Sequence, residues 1–79
     1  MRLPRPTDPD ADWCDWVVVH RVMTRRPVGR ALEWAELVAV RDRLAARGRL
    51  GDLGAVTGLT GLQLGRFEVL DQQLVRRAS

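Results

Sequence analysis

One stretch, Leu53 to Phe67, constrains the fold of this 79-residue chain more than any other. Two short apolar-periodic segments flank the sequence Gly58–Leu59–Thr60. Leu53, Thr57, Leu59, Leu64 and Phe67 fall at spacings that turn them toward one interior. Gly58 stands at the corner, where positive φ is required and other residues are strained. Gly54, with no side chain, stands where the two segments come closest. Such a pattern describes two helices meeting at a tight corner.

The remaining chain reads as helices of the same small domain. Residues 1–7 carry Pro4 and Pro6 and read as a flexible basic arm with Arg2 and Arg5. Residues 8–79 read as a single helical domain. Asp8–Pro9 starts a helix over about 9–25, with Asp8 as cap and Pro9 in the first turn. Asp10 and Asp12 then favour the positive end of its dipole, and Arg21, Arg25 and Arg26 the negative end. Trp13, Trp16, Val17, His20 and Met23 share one face of that helix. Pro27 and Gly29 set a loop. A second helix spans about 32–47, with Trp34, Leu37, Val38, Arg41, Leu44 and Ala45 inward. Arg41 lays its stem on this stripe with its head in water. Gly48 stops the helix. A short third helix covers Asp52 to Thr57. Thr60 caps a fourth, from Gly61 to Arg76 or Arg77, with Leu64, Phe67, Leu70 and Leu74 inward and Val75 at the edge of that stripe. The fold class is all-α, with four helices: a Trp-rich N-terminal helix followed by a three-helix unit.

The spacing across Leu53–Phe67 resembles that of helix-turn-helix DNA-binding proteins, here over about 51–77. In particular the chain resembles the small ones encoded by actinobacteria and their phages. The resemblance implies a sequence-specific transcriptional regulator whose recognition helix, about 61–76, enters the major groove of double-stranded DNA. Thr60, Gly61, Leu62, Gln63 and Arg66 would then be the DNA-binding residues. Gln63 suits adenine, Arg66 guanine or phosphate, and Leu62 a thymine methyl. Arg47, Arg49, Arg76 and Arg77 would contact phosphates and fix register. Trp13 and Trp16 read as core or as a face for a second copy or another partner, and a homodimer would suit a palindromic site. The reader helix departs from the usual pattern through its two glycines and an outward leucine. The same fold can therefore serve as a protein-interaction module, such as a phage modulator of host transcription or defence proteins. An ordinary corner in a small helical bundle also fits the spacing.

Composition bounds these readings without choosing between them. All thirteen basic residues are arginine, and Lys, Ile, Asn and Tyr are absent, as a GC-rich genome would dictate. The net charge of +3 permits nucleic-acid binding without requiring it. Asp8, Asp10, Asp12 and Asp15 make an acidic entry to a more basic remainder. Helix capping explains these acids better than a metal site, since they lack the glycine and terminal glutamate of a calcium loop. The single cysteine, Cys14, forms no internal disulfide and reads as a small buried hydrophobe. No phosphate-cradling loop, paired catalytic carboxylates or Ser-His-Asp set can be assembled, so a non-enzymatic protein without metal or cofactor is expected. No secretory pattern or membrane-length apolar run occurs, and a cytoplasmic location is expected.

Overall fold

A computed structural model of the chain describes residues 2–78. Among these residues there are four α-helices, one 3-10 turn and no strand. Helix α1 spans Trp16–Met23, α2 Trp34–Ala46, α3 Leu53–Thr57 and α4 Gly61–Ala78, with the 3-10 turn at Leu50–Asp52 before α3. The all-α, four-helix architecture expected from periodicity is therefore the one observed.

The core forms where α1, α2 and α3 meet the inner side of α4. Val19 and Val22 come from α1, Leu37, Val40 and Leu44 from α2, Leu53 from α3, and Phe67 from α4. Phe67 is fully buried and meets Trp34 edge to face, with ring centroids 4.8 Å apart. Burying a side chain of this kind contributes roughly 1.5–3 kcal/mol, and the ring pair adds about 0.5–1.5 kcal/mol. Arg41 is not solvated as expected. Its guanidinium lies 5.2 Å from the Phe67 ring centroid and donates to Asp71 of α4 and Asp42. The head found a carboxylate on α4, a contact that the sequence of α2 does not reveal. Ala45 of α2 and Val75 of α4, both placed inward by spacing, are exposed.

The front of the chain differs most from expectation. The helix expected over 9–25 begins only at Trp16, and its cap is Asp15, whose Oδ1 accepts from the Val17 N–H at 2.9 Å. Asp8 instead closes a turn, accepting from the Arg5 N–H at 3.0 Å and pairing with Arg2 at 2.8 Å. Residues 8–13 continue in turns, through bonds such as Ala11 N–H to the Asp8 carbonyl. Short aspartate side chains compete with the helix ladder by bonding nearby backbone, which favours turns and caps. The late start also rotates the buried face. Val19 and Val22 go inward, while Trp13, Trp16, Val17 and His20 are exposed. Trp13 and Trp16 are therefore not core residues.

Helices α1 and α2 end in the same hydrogen-bond pattern with different residues. After α2, Gly48 takes φ 67° and the Arg49 N–H reaches the Leu44 carbonyl. After α1 the equivalent position is Arg25, at φ 58°, with the Arg26 N–H reaching the Arg21 carbonyl. Only the first uses the residue suited to the left-handed region.

Candidate nucleic-acid interface

The corner between α3 and α4 is built by local chemistry. Gly58 caps α3 at φ 75° and donates to the Gly54 carbonyl at 2.9 Å. Thr57 is buried, and its hydroxyl donates to the Leu53 carbonyl at 2.6 Å and accepts from the Leu59 N–H at 3.3 Å. Leu59 then enters the core and α4 begins. A Cβ at Gly54 would lie 3.4 Å from the Leu59 carbonyl oxygen and 3.4 Å from Leu64 Cδ1. The small residue thus sits at the close approach of the two helices, as its position in the sequence predicted.

Thr60 and Gln63 form a reciprocal cap on α4. The Gln63 N–H donates to Thr60 Oγ1 at 3.2 Å, and the Thr60 N–H donates to Gln63 Oε1 at 3.0 Å. Gln63 does not take the outward reading role expected of it. The structure leaves it half-buried with its amide oxygen engaged in the cap. The Thr-x-x-Gln spacing is a recognised capping signature and is the signal that could have shown this.

Past the cap, the first turns of α4 present Gly61, Leu62, Gly65, Arg66 and Val69 outward. Leu62 is 71% exposed and Val69 55% exposed, high values for apolar side chains. Arg66 is exposed and has no carboxylate partner among the described residues. Glu68 is exposed on the same helix. The other arginines singled out from sequence are distributed differently. Arg47 and Arg77 are exposed, as is Arg76 in the last turn. Arg49 donates to Asp52 at 3.0 Å, so its charge is already paired within the chain.

Two features lay outside the sequence reading. The first is the position of residues 2–7, expected as a flexible basic arm. They lie against the body: Pro4 is buried, Leu3 is half-buried against the core, and the Asp8 carboxylate fastens Arg2 and the Arg5 backbone. Leu3 and Arg5 thereby form one side of an open apolar groove of about 830 Å³, whose other side is α4 at Leu62, Gly65, Arg66 and Val69. The second is Glu36, fully buried at the start of α2. It binds Arg30 through both oxygens at 2.8 Å and accepts from the Asp15 and Glu33 backbone N–H groups. Burial pushes its carboxyl up, but the Arg30 and backbone bonds outweigh this and hold it below the ordinary glutamate value. The same carboxylate thus fixes the starts of α1 and α2.

No group of side chains suited to a metal ion occurs among the described residues, and no helix there is long and apolar enough to cross a membrane. No protein-family model, curated protein or solved structure matches the chain.

Proposed function

We propose that the protein is a non-enzymatic, cytoplasmic DNA-binding regulator of transcription that uses α3 and α4 as a helix-turn-helix. The observation that carries this reading is the bare outer side of α4 directly after the Gly58 corner, with Arg66 exposed and unpaired there. A helix offered in this way has the width that a major groove admits. Arg66 binds guanine or a phosphate, and Leu62 packs on a thymine methyl. Thr60, with the first N–H groups of α4, faces a phosphate. Gly61 and Gly65 let the backbone approach the duplex closely. Arg47, Arg76 and Arg77 contact phosphates, with Arg49 a weaker contributor because Asp52 competes for it. Gln63 supports the reader from the cap more than it reads.

The exposed Trp13, Trp16 and Val17 support pairing of two copies, which suits a two-fold site. A protein-binding use of the α4 surface is favoured by one observation, the apolar groove beside Leu62 and Val69.

The reading is tested by anisotropy of a labelled duplex titrated with the protein across a range of salt. Affinity is expected to fall steeply as salt rises. Arg66→Ala is expected to weaken binding by about 1–3 kcal/mol. No binding at low salt, or an Arg66→Ala affinity equal to wild type, contradicts it.

A further inference from the structure

We propose that the groove between the N-terminal segment and α4 docks an amphipathic helix of a partner protein, one whose apolar stripe is flanked by carboxylates. Gly61 and Gly65 lie one helical turn apart on the outer side of α4, and a Cβ at either would meet nothing within 4 Å. Packing within the chain therefore does not call for glycine at either place, although glycine inside a helix costs about 1 kcal/mol against alanine. Their effect is felt outside the chain. They leave α4's backbone bare, so that a second helix can approach nearer than side chains ordinarily allow.

The walls supply what such a helix needs. Leu62 and Val69 stand exposed along α4, and Leu3 faces them from the N-terminal segment. That segment is a fixed wall, held by buried Pro4 and by the Arg2–Asp8 pair. Charge selects the occupant. Arg66, without a carboxylate partner among the described residues, lines the groove together with Arg5, whose guanidinium lies 4.0 Å from the Asp8 carboxylate, and no carboxylate lines it. Carboxylates along the edges of the incoming helix complement both. A second copy meeting this groove with its own would oppose arginine to arginine, which argues against a symmetric pairing of two grooves and for a partner that brings carboxylates. Leu62 and Arg66 also serve the proposed DNA contact. Where that reading holds, helix and duplex exclude one another, and the partner regulates DNA binding.

The experiment uses the intact protein and a labelled helical peptide with leucines at i, i+3, i+4 and i+7 and glutamates on both flanks. A matched peptide carries lysine in place of glutamate. Anisotropy is expected to show saturable one-to-one binding of the glutamate peptide, about tenfold or more tighter than the lysine peptide. Gly65→Leu fills the groove and is expected to weaken binding about tenfold or more, with thermal stability kept or raised. Arg66→Glu is expected to weaken it by a similar factor. Equal binding of both peptides, indifference to Gly65→Leu, or self-association of the protein that Gly65→Leu abolishes would overturn the proposal. Direct peptide binding is independent of DNA, so a protein that takes the glutamate peptide but no duplex sinks only the DNA reading. Simultaneous binding of duplex and peptide sinks the shared site.

Discussion

The two sides of α4 obey different rules. The inner side carries Phe67, Leu64, Leu70 and Leu74, and each is accounted for by what it touches on the other helices. Even its charge is accounted for, since Asp71 answers Arg41 over the Phe67 ring. The outer side carries two glycines, an exposed leucine, an exposed valine and an unpaired arginine. Nothing among the described residues explains that set, and for stability alone alanine and polar residues would serve better. Residues that a fold does not require, and that cost it stability, are where contact with another molecule is to be sought.

Substitutions should therefore move stability in opposite directions on the two sides. The largest loss is expected inside. Phe67→Ala removes the ring packed on Trp34 and should cost about 3–5 kcal/mol in a urea titration, a large share of what so small a domain has. A loss under 1 kcal/mol would mean that α4 does not rest on its inner side as described.

The inner side in turn depends on α2, and α2 is fixed at its start by Glu36. Glu36→Gln should cost about 2 kcal/mol at neutral pH by removing the charge that binds Arg30 and two backbone donors. The pH dependence follows from the lowered Glu36 carboxyl. Its contribution is complete above the ordinary glutamate value of 4.5 and disappears as pH falls through the lowered folded value. Wild type should therefore lose stability on that acid limb, and Glu36→Gln should lose less. Parallel acid limbs in thermal melts of the two proteins would contradict the assignment.

The smallest effect, with the opposite sign, is expected outside. Gly65→Ala should raise stability by about 1 kcal/mol, because the added Cβ meets open space and alanine favours the helix. Calorimetry showing destabilisation would mean that Gly65 has an internal role, and the contrast between the two sides would weaken.

What could be read from sequence divides along the same physical line. The corner at Gly58, the cap at Thr60, the stop at Gly48 and the inward stripe of α4 from Leu64 to Leu74 follow from residues a few positions apart, and all were legible. The start of α1 was not. Asp8–Pro9 has every local mark of a helix start, but Asp15 is chosen as cap while its backbone is held by Glu36, 21 residues away. Neither the burial of Glu36 nor the packing of Leu3 against the core has a local signature, because each depends on which elements the fold brings together. For the candidate site, Arg66 and Leu62 were correctly expected on the outside. Gln63 was read for its hydrogen-bonding capacity toward a base, when its spacing from Thr60 already committed its oxygen to the cap.

The most direct test of the central claim maps the contact residue by residue. Amide chemical shifts of the labelled protein would be followed as duplex DNA is added at low salt. The account predicts the largest shifts in a continuous patch from Thr60 to Val69, with smaller ones at Arg47 and in the last turn of α4. Shifts centred on Trp13 and Trp16, with α4 unmoved, would contradict it.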